Sequence, residues 1–454
     1  MSSKLVHNLN LFNKLRSEHP VFIYKGYQAK TNQGFLSVEY KYQIPELVEF
    51  SSPLKIEISN EIDDTERLLT EINPILFCIG LADLISYWKV TCSPTIKIET
   101  DSINSRQVSF WKELFFQGLS EFRYVNGIEA TKDEFVDFEL GQGHTSLPAK
   151  KLEGNLIPIG GGKDSLTTLS LLSQDSTLSN ACFILNPRKA CVESVKLFGY
   201  EDRAISAYRT IDSKLIELNT QGYLNGHTPF SALLGFISCL AAYLNDKRYI
   251  VLSNESSAEE ENSAGVNHQY SKSCSYENLF KEYLSTFLSS ELEYFSLLRP
   301  LNELQIVKHF VKNREAISIF QSCNVGSKTD SWCTNCPKCL FVYIMLGPFI
   351  EKTELLKLFK RDLLDDSSLT EIFDGLCGLT EVKPLECVGT RAEIQSALKH
   401  TIENTSTLPV LLRRFKDSPL FAQAPDISLI LKEKGSSELV PEHFKAILAK
   451  EGLL

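Results

Sequence analysis

The sequence predicts an α/β fold in which a parallel sheet carries helices on both faces. The main observation is an alternation of short apolar runs with helix-like segments between residues 156 and 252, which is typical of β-α-β units. A second observation is a run of three glycines directly after the first apolar run. The composition agrees, since 43% hydrophobic and 23% charged residues are usual in globular proteins.

The elements follow in order along the chain. Apolar runs predict strands at 35–42, 156–159, 181–185 and 249–252, and longer segments predict helices at 74–90, 107–123, 165–172, 229–244, 391–398 and 442–448. The first strand alternates polar and apolar residues and indicates an antiparallel strand. The later strands are continuously apolar, as strands buried on both faces are.

The length of 454 residues predicts more than one domain, because a domain usually has about 100–200 residues. We predict an α+β N-terminal domain over 1–150 and a central α/β domain over 151–350, which contains the three glycines. A small, mostly helical C-terminal region is predicted over 351–454.

Charge and hydropathy exclude several classes of partner. The net charge of -10 without a basic block disfavours nucleic acid, which needs phosphate neutralisation. The apolar stretches at 74–88 and 229–244 are shorter than the roughly 20 residues of a membrane span, so we predict buried helices. The first twenty residues lack the apolar core of a secretory signal, and twelve cysteines then suit a reducing cytoplasm.

The glycine-rich turn is the strongest indication of function in the sequence. Bare glycine N–H groups at a helix N-terminus can close around an anion. Because this turn lies between the strand at 156–159 and the helix at 165–172, we predict a site for nucleotide phosphates. Its residues are Gly160, Gly161, Gly162, Lys163, Asp164 and Ser165.

The spacing excludes two common phosphate loops. A Walker A loop requires glycine where this chain has Ile157 and Ser or Thr where it has Asp164. A dinucleotide fingerprint requires glycine at Ser165. The turn resembles instead the S-G-G-x-D-S loop of the PP-loop ATP pyrophosphatases, with Gly160 in place of the first serine. This resemblance implies cleavage of ATP between its α and β phosphates and adenylation of a substrate oxygen.

Four cysteines have the spacing of a metal site. The segment SCNVGSKTDSWCTNCPKC carries them as C-x9-C-x2-C-x2-C, and four-sulfur tetrahedra are typical of structural zinc. We predict a Zn²⁺ site at Cys323, Cys333, Cys336 and Cys339. The alternatives are unmetallated buried thiols or redox chemistry at the last three cysteines.

Further segments point to one enzyme family. They are RTIDSKLIELNTQGYLNGHTPFSA at 209–232, VLSNESSAEEEN at 251–262, VNHQYSKS at 266–273 and YFSLLRPLNEL at 294–304. With the GGGKDS turn and the WCTNCPKC run, they resemble the ATP-dependent UDP-N-acetylmuramoyl-L-alanyl-L-glutamate epimerase family of bacterial peptidoglycan synthesis. A more distant resemblance, through the PP-loop and the four-cysteine cluster, is to 7-cyano-7-deazaguanine synthase.

The resemblance implies a specific reaction. The terminal L-glutamate of UDP-MurNAc-L-Ala-L-Glu is inverted to D-glutamate with ATP and Mg²⁺, and AMP and pyrophosphate are released. An acyl-adenylate explains the need for ATP, because it removes the carboxylate charge beside Cα and stabilises the carbanion. We therefore expect a cytoplasmic isomerase of cell wall biogenesis, coupled functionally to the ligase that adds L-glutamate, with no nucleic-acid or membrane partner.

The same resemblance implies roles for individual residues. The glycines and Ser165 are expected to cradle pyrophosphate, with Lys163 adding charge and Asp164 holding Mg²⁺. Asn186, at the tip of the strand at 181–185, is expected to meet the nucleotide.

For the acid and base that move the Cα proton we favour His268 and Glu255, with Lys272 and His227 behind them. Arg299 and Lys338 are candidates for binding substrate phosphates or carboxylates.

Three other interpretations stay open. The first is another PP-loop adenylating enzyme, either a ligase or synthase of the deazaguanine kind or a tRNA-thiolating enzyme, although the acidic chain disfavours tRNA. The second is a sensor or scaffold that binds ATP and zinc without turnover. The third is an epimerase that uses Cys274 and Cys323 as opposed bases, which zinc binding by Cys323 disfavours.

Overall fold

A computed structural model describes residues 3–58, 64–259 and 266–454 of the chain. The last three residues of the family-like segment 251–262 therefore lie outside the described ranges. The described strands are β1 (Val21–Asn32), β2 (Phe35–Ile44), β3 (Val48–Glu57), β4 (Thr95–Ile98), β5 (Asp137–Phe138), β6 (Asn155–Pro158), β7 (Asn180–Leu185), β8 (Ala204–Arg209), β9 (Tyr249–Leu252) and β10 (Glu293–Ser296).

Helices pack on the sheet and also form most of the C-terminal part of the chain. They are α1 (Ser3–Glu18), α2 (Thr65–Trp88), α3 (Ser105–Gly118), α4 (Ser120–Val125), α5 (Lys132–Phe135), α6 (Lys163–Ser173), α7 (Lys189–Leu197), α8 (Ser213–Thr220), α9 (Phe230–Leu244), α10 (Cys274–Tyr283), α11 (Glu303–Phe310), α12 (Arg314–Ile319), α13 (Pro337–Leu346), α14 (Lys352–Phe359), α15 (Thr370–Cys377), α16 (Arg391–Glu403), α17 (Val410–Lys416), α18 (Pro419–Gln423), α19 (Ile427–Ile430) and α20 (Glu442–Lys450).

The ten described strands form one sheet in the order β10-β9-β6-β7-β8-β3-β2-β1-β4-β5. From β10 to β8 all neighbours are parallel, which confirms the predicted α/β class. From β6 the chain continues to β7 and then β8 on one side of β6. It then returns to form β9 on the other side of β6. Ligands in such doubly wound sheets bind where the direction switches, beyond the carboxyl ends of the strands. Here that point follows β6.

The N-terminal strands extend the same sheet. β1, β2 and β3 form an antiparallel meander, and β3 pairs antiparallel with β8 over Leu54 to Ile56. The strands of the predicted N-terminal domain and those of the predicted central domain therefore share one hydrogen-bonded layer.

Helix α2 contains the first long apolar stretch. By length and composition alone it could cross a membrane. However, every residue from Pro74 to Trp88 is buried, and α2 packs against α9 and β1. Burial against other elements is expected of a core helix, and the predictions of buried helices at 74–88 and 229–244 are confirmed.

One charged residue lies within this buried stretch. The Asp83 carboxylate accepts hydrogen bonds from Arg209 Nε at 2.5 Å and from the Tyr42 hydroxyl at 3.0 Å. Arg209 ends β8, so this ion pair fixes α2 against the junction of the two halves of the sheet. Because the Asp83 side chain is only 2% exposed and that of Arg209 8%, neither charge can be satisfied by water instead.

We predict that Asp83→Ala lowers the free energy of unfolding by about 3–5 kcal/mol, because it leaves the Arg209 guanidinium buried without its counter-charge. Denaturant unfolding followed by circular dichroism measures this loss. The control Glu18→Ala breaks an exposed pair with Lys14 and should cost less than about 1 kcal/mol. Equal losses in the two variants would contradict the structural role of Asp83.

Candidate active site

The glycine-rich turn closes tightly between β6 and α6. Gly161 has a φ of +76°, and a Cβ there would lie 2.8 Å from Cβ of Ala190, so only glycine fits without strain. A Cβ on Gly162 would lie 3.0 Å from the Ser322 hydroxyl, whereas Gly160 faces open space. The first turn of α6 leaves its N–H groups without acceptors inside the helix. The turn is thus shaped to receive an anion.

Neighbouring segments hold the carbonyl groups of this turn. Arg188 Nη2 donates to the Gly160 carbonyl at 3.1 Å, and the Gln321 N–H donates to the Gly161 carbonyl at 2.8 Å. The Ser165 hydroxyl donates to the Gly162 carbonyl at 3.0 Å. No local pattern in the sequence marks Arg188 or Gln321, because neither belongs to the loop motif.

A buried ion cluster lies directly behind the turn. The Lys163 ammonium contacts the carboxylates of both Asp164 and Glu303, and Lys163 and Glu303 are each 1% exposed. Lys163 is therefore held by both of these carboxyl groups, in addition to any contact with phosphate. Glu303 opens α11 and lies 140 residues from Lys163 in the chain, so no local signal in the sequence marks the contact.

The ionisable groups in this cluster shift one another's pKa values. Burial works against the charged form of Lys163, but the attraction of Asp164 and Glu303 outweighs it and raises the pKa of Lys163. Burial similarly opposes the Asp164 charge, yet Lys163 and Lys338 hold the pKa of Asp164 below its usual value. Burial raises the pKa of Glu303 to about 8, even beside Lys163. Asp164 is thus the carboxylate that keeps its charge at the turn.

The four predicted acid–base residues fall into two groups. Glu255 and Lys272 interact electrostatically with Lys163 and Asp164. His227 and His268 instead surround Glu121, and Nδ1 of His227 lies 3.6 Å from Oε2 of Glu121. Lys272 also interacts with both imidazoles, so it lies between the two groups.

The surroundings disfavour the protonated form of both histidines. Burial, followed by the positive charges around it, lowers the pKa of His227 to about 4. Burial also lowers the pKa of His268, whose Nε2 is buried and has no hydrogen-bond partner among the described residues. A neutral imidazole with a free ring nitrogen is able to accept a proton.

Arg299 has a different role from the predicted contact with substrate. It is 3% exposed and donates to the Glu277 carboxylate at 2.8 Å, to the Lys272 carbonyl at 2.6 Å and to the Glu255 carbonyl at 2.9 Å. These bonds hold the backbone of two site residues in place. Arg299 is therefore a positioning residue.

Asn186 lies at the tip of β7, with a left-handed φ of 53°. Its side-chain oxygen accepts from the Arg209 N–H at 2.8 Å, and its amide donates to the Arg209 carbonyl at 3.1 Å. In this structure the Asn186 side chain therefore joins the ends of two strands.

The four predicted zinc ligands come together. Their sulfur atoms all lie within 4.8 Å of one another, and two backbone N–H groups, those of Gly326 and Cys333, donate to Sγ of Cys323 at 3.1 and 3.4 Å. Hydrogen bonding from the Cys339 thiol lowers the pKa of Cys336 to about 5. Four converging thiols with N–H donors to sulfur fit a tetrahedral metal site. Cys323 belongs to this cluster, so the pairing of Cys274 with Cys323 has no support.

We predict that the purified protein contains about one zinc ion per chain and that Cys336→Ser loses most of it, as measured by elemental analysis. The same variant should unfold at a lower temperature, because the cluster connects 323–339 to the start of α13. Cys274→Ser, which changes a half-buried thiol outside the cluster, is the control. Full zinc content in Cys336→Ser would refute this ligand set.

Comparison with known proteins identifies the family. The MurL N-terminal domain matches residues 13–297, and the MurL C-terminal domain matches residues 318–420. The chain belongs to the MurL family. It is thus an epimerase, an isomerase by enzyme class, as the sequence resemblance predicted. No solved structure matched the chain.

Curated MurL relatives cover most of the chain. A protein from Xanthomonas oryzae is 34% identical over 343 residues, 72% of this chain and 74% of its own length. One from Salinispora tropica is 30% identical over 389 residues, 83% of this chain and 84% of its own length. Both are named UDP-N-acetyl-alpha-D-muramoyl-L-alanyl-L-glutamate epimerase. The glycine-rich turn lies in the N-terminal match and the cysteine cluster in the C-terminal one.

Proposed function

We propose that this protein inverts the terminal L-glutamate of UDP-MurNAc-L-Ala-L-Glu to D-glutamate at the expense of ATP, in the cytoplasm, during peptidoglycan precursor synthesis. The observation that carries the proposal is the glycine-rich turn at the switch point of the sheet, next to a buried group of carboxylates and lysines. The printed names of the relatives supply the substrate. Functional coupling to the ligase that supplies this substrate is part of the proposal.

The turn suits adenylation of the substrate. In the PP-loop interpretation, the N–H groups after Gly160 bind the pyrophosphate part of ATP. The α-carboxylate of the glutamyl residue attacks the α-phosphorus, and pyrophosphate leaves. Lys272 and Lys338 lie near Asp164 and offset the negative charge of the reacting groups. Mg²⁺ bound to Asp164 would supply further charge neutralisation.

Adenylation makes the Cα proton removable. A free carboxylate beside Cα opposes a second negative charge, whereas the acyl-adenylate carbonyl can accept the electron pair as an enolate. His268 then takes the Cα proton, because its imidazole is neutral and its Nε2 is free of partners among the described residues. Glu255 lies nearer the phosphate turn and its lysines, where it can orient the substrate. A proton donor then protonates Cα on the opposite face, and water finally hydrolyses the acyl-adenylate to AMP and the D-glutamyl product.

The zinc cluster has a structural part in this proposal. Zn²⁺ held by four thiolates would fix the 323–339 segment, which leads into α13 and carries Lys338. The same segment follows directly on Gln321, which holds the Gly161 carbonyl. Bound zinc would therefore hold the segment that joins Gln321 to Lys338, both of which lie next to the phosphate turn.

We predict that, in D₂O with the glycopeptide, ATP and Mg²⁺, the protein releases AMP and pyrophosphate and forms D-glutamate that carries deuterium at Cα. His268→Ala should still release AMP but incorporate deuterium at least about 100-fold more slowly, since a missing general base costs this much. Asp164→Asn should lose AMP release. Chiral chromatography with mass spectrometry measures each product.

His400→Ala is the matched control, because His400 lies in the last turn of α16, at the opposite end of this helix from Glu393. Normal inversion by His268→Ala would refute the base assignment alone. AMP release by the wild type with no deuterium in glutamate would support adenylation and refute epimerisation. No turnover of this glycopeptide would refute the proposed substrate.

A further inference from the structure

Cys387 lies at the same site, in the segment between α15 and α16. Its sulfur accepts a hydrogen bond from Lys272 Nζ at 3.2 Å, and its carbonyl accepts one from the Lys338 ammonium. The thiol is half-buried. Nothing in the local sequence distinguishes it from the other scattered cysteines.

The two lysines connect this thiol to the phosphate turn. Both interact with the Asp164 carboxylate, and Lys272 also interacts with Glu255. The neighbouring Cys387 sulfur raises the pKa of Lys272 most, burial opposes this shift, and the Glu255 carboxylate adds to it. An ammonium in contact with sulfur stabilises a thiolate when the proton leaves.

The turn that carries His268 also contacts the segment of Cys387. His268 hydrogen-bonds to the backbone of Glu386, the residue before Cys387. Besides His268 Nε2, the Oε1 atom of Gln269 has no hydrogen-bond partner among the described residues, and Gln269 is only 6% exposed. Buried polar atoms normally have partners. The neighbouring open positions on this turn therefore point to a polar ligand bound beside Cys387.

We propose that Cys387 is the acid that returns a proton to Cα of the adenylated glutamyl residue, while His268 is the base on the other face. This assignment rests on the proposed function. His268 breaks the Cα–H bond, and the electron pair moves into the acyl carbonyl. The Cys387 S–H bond then breaks, its proton bonds to Cα from the opposite side, and the pair returns from the carbonyl to carbon. The Lys272 ammonium stabilises the thiolate until solvent restores its proton, and the His268 imidazolium gives its proton to solvent.

The assignment predicts an unusual product from Cys387→Ser. In D₂O this variant should release AMP within about threefold of the wild type and form D-glutamate at least about 100-fold more slowly, the usual cost of losing a general acid. Its recovered L-glutamate should carry deuterium, because His268 can still remove the proton and return a deuteron to the same face. Cys274→Ser, the other half-buried thiol outside the zinc cluster, should behave like the wild type.

Two results would overturn the assignment. One is D-glutamate formation by Cys387→Ser at half the wild-type rate or more. The other is intact AMP release with no deuterium in either enantiomer, which would make Cys387 necessary for proton removal rather than return. Failure of the wild type to release AMP with this glycopeptide would count against the proposed function instead.

Alkylation of the full-length protein gives a readout that does not depend on turnover. With iodoacetamide, mass spectrometry should show Cys387 reacting faster than Cys274, and ATP with the glycopeptide should protect it. Lys272→Met should slow alkylation of Cys387, because it removes the ammonium that contacts the sulfur at 3.2 Å, and leave Cys274 unchanged. Equal rates at Cys387 in Lys272→Met and the wild type would show that the Lys272–Cys387 contact does not activate the thiol.

Discussion

The structure depends on the Lys163 ammonium, which is buried between the carboxyl groups of Asp164 and Glu303. Lys163 opens α6 beside the phosphate turn, and Glu303 opens α11. The Glu303 N–H donates to the Glu393 carboxylate of α16 at 2.6 Å. A buried charge is tolerated only when it is paired. These contacts therefore hold the N-termini of α6, α11 and α16 next to one another. The C-terminal helices are thereby joined to the end of β6, where a phosphate would bind.

This arrangement explains why the site draws on distant parts of the chain. The turn after β6 supplies backbone N–H groups, the 253–259 segment after β9 supplies Glu255, and the following turn supplies His268 and Lys272. Lys338 and Cys387, from the part that matches the MurL C-terminal domain, lie next to these residues. The proposed reaction activates a carboxylate and moves a proton on the adjacent carbon, so the phosphate turn and the proton-transfer groups must lie within reach of one substrate.

Local patterns in the sequence predicted part of the fold and part of the candidate site. β6, β7 and β9 were predictable because each is a short, continuously apolar run that ends at a turn residue, and the cysteine cluster because its ligands are close in sequence. β8 and β10 were missed, since AISAYR and EYFS are short and carry polar residues. The Lys163–Glu303 and Lys272–Cys387 contacts join residues 140 and 115 positions apart. Only the folded chain brings such partners together.

We expect the glycine-rich turn to activate the substrate carboxylate as an acyl-adenylate before the Cα proton moves. The most direct test uses glycopeptide with ¹⁸O in the α-carboxylate of its terminal glutamate. Hydrolysis of an acyl-adenylate by attack of water at the carbonyl carbon transfers one labelled oxygen to AMP, and mass spectrometry of AMP should detect it. AMP with unlabelled phosphate oxygens, formed alongside D-glutamate, would contradict the proposed route, in which the carboxylate oxygen that attacks ATP stays on phosphorus when water cleaves the acyl-adenylate at the carbonyl carbon.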